Sequence, residues 1–468
     1  MKQAIILFLC SVSLSVLALT DAAVIGFSPT ASGIENMKAL QKAVDQAGTI
    51  TVTQPGVYKI AGTVYVGSNT SLIFGNGVIL QKVNEQGKFS HVILNKGALK
   101  KVYDSNIVIQ GLTIQGNDKD GHDQWQVYGL RGQLAFFYVK DLRVERFRCY
   151  DLGKMQFAIQ VCTFEDVIVN DVIIKGMKDG VHLGRGKRFT ISNGVFDTFD
   201  DAIALNAHDY SSGNPELGWI EEGVVRNCHD VAAPTRKVGY FCRILAGAWV
   251  DWKEGMEVQQ SDTVVSGGRL YRVQMQPDGK LFKSVTRPTH TQGAAELDGI
   301  RWGVVQEDVV YAAGVRNVVF RDIFLSEPRT SFSIHFDNDK YSRSYYPGAT
   351  IPLQQGLVFD NVKVLHDAET PFLSIATPID SIVIANSTLR NNALSFISNK
   401  AMSDYGKTAI TMSACTFSHP GKLSLLKSSI GNKKIDFVSF GSMVLSDQFE
   451  AVFPQTEMIR VTSDLIRK

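Results

Sequence analysis

The sequence predicts an all-β fold: a right-handed parallel β-helix, a single-stranded solenoid in which every coil stacks on the one before. Three observations carry this. The stretch 178–209 matches itself after a slide of 22 residues, which lays Asp179 on Asp201, Val181 on Ile203 and Leu183 on Leu205. Both runs alternate with period two, as strands do, and such a period is about one coil of a parallel solenoid. A degenerate motif, Asn or Asp followed by alternating Val and Ile, then recurs along the chain. It reads Asn106-Ile107-Val108-Ile109, Asp141-Leu142-Arg143-Val144, Asp166-Val167-Ile168-Val169, Asn317-Val318-Val319-Phe320 and Asn361-Val362-Lys363-Val364. Its spacing is irregular, which suits coils carrying loops of variable length and not the even blades of a propeller or an immunoglobulin-like array.

Taken in order, the chain opens with Met1-Lys2 and an apolar run from Ala4 to Leu19, followed by small residues at Ala22-Ala23. One basic residue, a hydrophobic centre and a small-residue site read as a secretory signal over 1–22, cleaved, with no membrane anchor expected. Export to a periplasmic or extracellular location follows. Loss of this segment removes Lys2 and Asp21 and leaves the net charge of +2 unchanged. That balance excludes nucleic acid as a partner, which calls for a strongly basic face.

Residues 35–48 follow a helical period with Met37, Leu40, Ala43 and Val44 on one face. A helix there would cap the first coil and cover its open strand edges. Strands are expected at 49–52 and 56–60, separated by the turn signal Pro55-Gly56. The helix followed by a Pro-Gly-x-Tyr turn resembles the opening of secreted β-helix enzymes of the pectate-lyase and polygalacturonase type.

The coil motif lapses between residues 189 and 318. Within that gap, 255–307 is dense in hairpin signals, Ser266-Gly267-Gly268 and Pro277-Asp278-Gly279, flanked by alternating strands. We expect a small inserted β module here, similar to short elements of polysaccharide-active and phage-tail proteins. It divides the solenoid into 23–254, with the candidate site, and 308–468, which ends in a closing cap. Cysteines 149, 162, 228, 242 and 415 are odd in number and widely spaced, so buried thiols are expected, with a Cys228–Cys242 bridge left open.

The chemistry is expected at Asp179, Asp200 and Asp201. Stacked strands lie roughly 4.8 Å apart, so Asp179 and Asp201 should stand one above the other, with Asp200 beside them. Crowded like charges are costly unless used. An Asp that caps a solenoid turn explains one such residue per coil, but not three that superpose.

Lys178-Asp179-Gly180 and Phe199-Asp200-Asp201-Ala202-Ile203-Ala204-Leu205 resemble the N-T-D-G and G-D-D-x-I-A/S-I motifs of glycoside hydrolase family 28, the polygalacturonases, with matching separations of 21 and 22 residues. The resemblance implies inverting hydrolysis. Asp200 would protonate the leaving glycosidic oxygen, while Asp179 and Asp201 hold and deprotonate water. An inverting acid and base stand roughly 6.5–9.5 Å apart, so the stacked pair is too close and Asp200 should be the outlying acid. The substrate would be a polysaccharide or oligosaccharide, pectin-like or another complex glycan, and no cofactor or metal is expected.

The chain departs from the family where a G-H-G and an R-I-K should follow. Residues 221–224 read Glu-Glu-Gly-Val, and Arg243-Ile244-Leu245 is the nearest fragment to the second motif. A uronate at the cleaved position is therefore not implied. His208, His182 and Arg243 are candidate substrate-binding residues. Trp249 and Trp252 suit core packing better than sugar stacking. The alternatives are a β-helix polysaccharide lyase, with calcium on the acidic cluster, and a non-catalytic glycan-binding solenoid of the tail-spike or adhesin kind.

Overall fold

The computed structural model describes residues 19–467 apart from 122–123, 236, 400–401, 403, 419–423, 446–458 and 465. The expected leader lies almost wholly outside them. Its last residues, Leu19–Asp21, pair in parallel with the strand Gly48–Val52.

The strands wind into one continuous parallel sheet. One ladder runs from Val64–Val66 through Ile93–Asn95, Ile159–Gly176, Val181–Leu183, Ile203–Asn206, Cys242–Leu245 and Phe332–His335 to Leu426–Ser428. The fold is a right-handed parallel β-helix. Register follows the predicted self-match, with Val181 on Ile203 and Leu183 on Leu205. Apolar residues stack in columns through the interior. Ile109, Val144, Val169, Ile191, Val225 and Phe320 occupy successive levels of a second ladder, all fully buried.

The recurrent Asn or Asp has a backbone reason. Asn106, Asp141, Asp166 and Asn317 take φ of +57°, +51°, +59° and +57°, the left-handed region that Asn and Asp tolerate best among side-chain-bearing residues. Each turns the chain through a corner without ending its ladder. A second set of corners, Asp171, Asn193, Asn227 and Asp322, follows at +54°, +56°, +50° and +55°. There the side chains bond along the stack, Asn227 Nδ2 to Asn193 Oδ1 and Asn193 Nδ2 to Asn170 Oδ1, both at 2.7 Å.

The capping helix, α1, spans Gly33–Val44 and opens with Ser32 and Glu35 in a reciprocal capping box. Leu40, Ala43 and Val44 are buried in the solenoid core, and Met37 packs at its edge. The cysteines 149, 162, 228, 242 and 415 are free and buried. The open question of a bridge is thus answered: Cys228 and Cys242 point into the coil interior as small apolar groups.

After Leu245 the chain leaves the stack, and it rejoins at Val315, which pairs with Ile220. The segment between holds a five-stranded sheet of Val250–Asp251, Thr263–Ser266, Arg269–Val273, Ala294–Leu297 and Ile300–Gln306, and a two-stranded one. It has its own apolar cluster around Tyr271, Ile300 and Trp302. Since Val250–Asp251 belongs to that sheet, the departure begins before residue 255. The antiparallel pair Gly247–Ala248 and Ala312–Ala313 draws its two ends together.

Candidate active site

Asp179 and Asp201 precede equivalent strands on neighbouring coils, and the N–H of Gly180 donates to the Asp201 carbonyl at 3.0 Å. As whole residues they are 3% and 2% exposed, whereas Asp200 keeps a quarter of its side chain in solvent. All three offer a carboxylate oxygen within 4.8 Å of the others. Asp200 is therefore a close member of the trio and not an outlier at the roughly 6.5–9.5 Å usual for an inverting pair. Adjacent positions on the chain, with one coil turning back over the other, bring both Asp200 and Asp201 to the same spot.

The environment splits the three titrations. Burial acts to raise Asp179, but the charge of Lys178 and a hydrogen bond from His182 outweigh it and hold this carboxyl below the ordinary range. Burial pushes Asp201 well above that range, reinforced by Asp200 and Asp179. Asp200 also rises, through burial and the Asp179 charge, with Lys178 acting against. One carboxylate is thus kept ionised among two that favour their protons.

Lys178 completes this balance. Its ammonium contacts Asp200 Oδ2 and lies 3.7 Å from Asp179 Oδ1. Burial alone would lower its pKa, yet the surrounding negative charge raises it, so the ammonium stays charged. The three carboxylates have the donor set for a cation, and Lys178 supplies positive charge to two of them.

His182 stands in the same outward column as Gln160, Ala204 and Arg243. Its Nδ1 donates to Asp179 Oδ2 at 2.9 Å, its Nε2 faces Asp209 Oδ2 at 3.4 Å, and its ring stacks on Phe157 at 4.1 Å. The small side chain of Ala204 separates it from Arg243, whose Nη2 donates to Asp337 Oδ1 at 2.6 Å. The Tyr240 N–H fixes Asp201, donating to Oδ1 at 2.9 Å. His182 is fully buried, so it touches Asp179 and no solvent-borne ligand.

His208 stands apart from the trio. It is fully buried against Gly247 and bonds Thr263 Oγ1 at 3.4 Å, so in this structure it neither orients Asp201 nor offers a surface to sugar. The module covers the outer face on which its side chain emerges. Burial and the nearby Arg272 push its pKa down to about 3. Trp249 and Trp252 are core residues whose indole N–H groups donate to the Val310 carbonyl and to Ser284 Oγ.

Sequence reasoning missed Lys178, Asp209 and Asp337. The first two carried a signal, lying beside Asp179 and His208 within the stretch that organises the chain. Asp337 comes from a distant coil and carried none.

No family model matches the sequence, and no curated protein matches it. Among solved structures, the chain is similar to the catalytic unit of a thermostable α-1,3-glucanase of family GH87 from Streptomyces thermodiastaticus, at 12% identity and a TM-score of 0.56, over 97% of this chain and 70% of that one. It is similar to the Streptococcus pneumoniae surface protein and adhesin PfbA, at 12% identity and a TM-score of 0.51, over 96% and 100%. A family 28 exopolygalacturonase from Yersinia enterocolitica aligns at 14% identity with a TM-score of 0.48, over 96% and 79%. The first two likenesses show a shared fold alone. No helix among the described residues is long and apolar enough to cross a membrane.

Proposed function

We propose that this protein is an exported glycoside hydrolase acting on a polysaccharide, with Asp179, Asp200 and Asp201 as its catalytic carboxyls. The observation that carries the reading is the divided titration of three carboxyls gathered within 4.8 Å on one face. Pairs of acidic groups whose environments drive their pKa values apart are how one site holds both an acid and a base. A turn-capping role gives no reason for that division.

In this reading Asp200 is the general acid, since it favours its proton and reaches solvent, where a leaving oxygen can meet it. When it gives up that proton, the Lys178 ammonium stabilises the carboxylate left behind. Asp179, already ionised, accepts a proton from water, while Asp201, which keeps its proton, holds that water by hydrogen bonding and takes no proton from it. His182 holds Asp179 in position from within. The separation of the carboxyls is below that of the usual inverting pair, so inversion rests on the motif resemblance and not on distance. Arg243 is committed to Asp337 and borders the site as an orienting charge.

The α-1,3-glucanase of like fold supports a glycan as substrate, and the signal-like start supports export. A polysaccharide lyase is the second reading, favoured by one observation, the amine of Lys178 against the trio. A lyase needs that amine neutral as a base, and here it is held charged. A glycan panel assayed for new reducing ends, with ultraviolet absorbance for unsaturated products, tests the proposal. Reducing ends without absorbance support hydrolysis. Absorbance supports the lyase, and glycan binding without turnover supports a binding solenoid of the adhesin kind.

A further inference from the structure

On the far side of the Val181–Leu183 strand from the aspartates, a second column of side chains runs along the solenoid axis. The register pairs Asp104 with Val139, Val139 with Phe164, Phe164 with Gly186 and Gly186 with Ile220. The residues just before them, Tyr103, Tyr138, Thr163, Arg185 and Trp219, therefore share one corner position on five successive coils. At roughly 4.8 Å per coil this column is about 19 Å long. Two of its members hold backbone that bulky and β-branched residues rarely adopt, Tyr138 at φ +57° and Thr163 at +53°. Such strain persists where the surrounding structure over-determines it, and it clusters at binding sites.

The column is the floor of a groove. One cavity of about 600 Å³ and an adjoining one of about 330 Å³ share Tyr103, Thr163 and Arg185, with the polar module edge Thr291-Gln292-Gly293 forming a wall of the larger. Volumes of this size at the seam between two units, with a few convergent polar groups, are typical of ligand sites. One face of each terminal ring is already taken, Lys140 Nζ standing 4.6 Å from the Tyr103 ring centre and the Arg316 guanidinium 4.9 Å from that of Trp219, so a ligand would meet their edges and opposite faces. Tyr103 is 43% exposed and packs edge-on against Tyr138 at 5.1 Å. At the other end Gly314 makes room for Trp219, since a Cβ there would come within 2.9 Å of the indole.

The charges in this groove already have partners. Buried Glu216 takes Lys101 at 2.9 Å and Arg185 at 3.6 Å, Arg185 also holds Asp308 at 2.6 Å, and Glu165 takes Lys140 and Lys187. An anion would have to break these pairs. A neutral polyhydroxylated chain would not, because hydroxyls donate to and accept from paired groups while the apolar faces of sugar rings lie on aromatic side chains. We propose that this corner column is a binding groove for a neutral oligosaccharide segment, separate from the aspartate site and independent of its catalysis.

The test uses the full chain carrying Asp200→Asn, so that any turnover of the probe is slowed by roughly the 10²–10⁴-fold typical of a lost general acid. Isothermal titration would be run with cellohexaose, laminarihexaose, maltohexaose, mannohexaose and xylohexaose, and with hexagalacturonate as the anionic comparison. At least one neutral hexasaccharide is expected to bind, and Tyr103→Ala and Trp219→Ala, each checked for an unchanged circular dichroism spectrum and melt, should weaken it at least tenfold. Binding of hexagalacturonate alone, no binding by any neutral probe, or neutral binding unaltered in both aromatic variants would overturn the groove. Turnover by the unsubstituted chain tests the hydrolase reading separately, and either can fail while the other stands.

Discussion

Gly239 lies flat against the peptide that joins Asp200 to Asp201: a Cβ on it would come within 2.3 Å of the Asp200 carbonyl carbon and 2.5 Å of the Asp201 nitrogen. Both are backbone atoms and cannot swing aside. Gly239→Ala should therefore push the two aspartates outward while the coil interior, which the glycine does not line, stays packed. Misplacement of about 1 Å at a reacting group costs on the order of a hundredfold in rate. We expect a loss of that size in kcat with a melting temperature lowered only modestly. Full activity in the alanine variant would show that the Asp200–Asp201 peptide has slack the structure does not suggest.

Asp200→Asn keeps size and hydrogen bonding but cannot protonate a leaving oxygen. General-acid assistance contributes typically 10²–10⁴-fold, and turnover should fall accordingly on whichever glycan proves active. Asp201→Asn removes a buried carboxyl that resists ionisation. A group whose folded pKa is raised loses its favourable contribution as pH climbs through that value, so at neutral pH Asp201 is a liability and its amide should hold or raise the melting temperature. Were either residue only a turn cap, activity would survive and stability would drop by about 1 kcal/mol.

The solenoid and the stacking of Asp179 on Asp201 were legible because both are periodic: one coil is a local repeat, and alternation fixes which residues share a column. The corner Asn and Asp residues were visible for the same reason, since their left-handed backbone recurs in each coil. Contacts made across the outer face were not. Arg243 finds Asp337 from 94 residues away, through a turn that no pattern announces. His208 was misread because its position beside the aspartates is real along the sequence, but the excursion after Leu245 returns to cover it. Asp200 looked like an outlier because side-chain parity separates neighbours along a strand, and it sits in the bend just before one.

Lys178 should set the pH range of activity. Its ammonium favours the ionised form of both Asp179 and Asp200. In the proposed mechanism Asp179 is ionised and Asp200 protonated, so the acid limb would belong to Asp179 and the alkaline limb to Asp200. Lys178→Met removes the charge that lowers both, and both limbs of the kcat/KM profile should move to higher pH. A profile of unchanged position, with only its height reduced, would remove Lys178 from the electrostatics and leave it a packing role.

Two buried histidines should govern acid stability. Burial lowers His91 to about 4 and His208 to about 3, so both remain neutral in the folded chain. In the unfolded chain they charge near the ordinary value of about 6.5. Their contribution is present above that value and is lost as pH falls toward the folded pKa values, by about 2 kcal/mol each between pH 7 and pH 5. Raised carboxyls such as Asp201 and Asp262 work in the opposite direction over this range in both chains, so the test is the difference between them: from pH 7 to pH 5, His91→Gln should lose about 2 kcal/mol less than the parent chain. An equal loss in the variant would assign acid sensitivity elsewhere.

Removal of the module is the most demanding test, because it separates folding from function. Trp249 and Tyr311 meet where the excursion begins and ends, the Trp249 N–H donating to the Tyr311 carbonyl at 3.1 Å. Residues 250–310 can thus be replaced by a short Gly-Ser turn without stretching the flanking coils. The module has its own apolar cluster, so the solenoid should keep its strand content and a cooperative melt. Activity should not survive. Buried Arg272 donates from the module to the carbonyls of Ser211 and Asn214, and these steady the loop that presents Asp209 to His182, which in turn holds Asp179. Without the guanidinium those carbonyls lose their donor and the loop its anchor. Arg272→Met in the intact chain should reproduce part of that loss, with kcat falling more than KM changes. Loss of the cooperative transition on excision would instead make the module part of the solenoid's core. Full activity after excision would free the aspartates from any dependence on it.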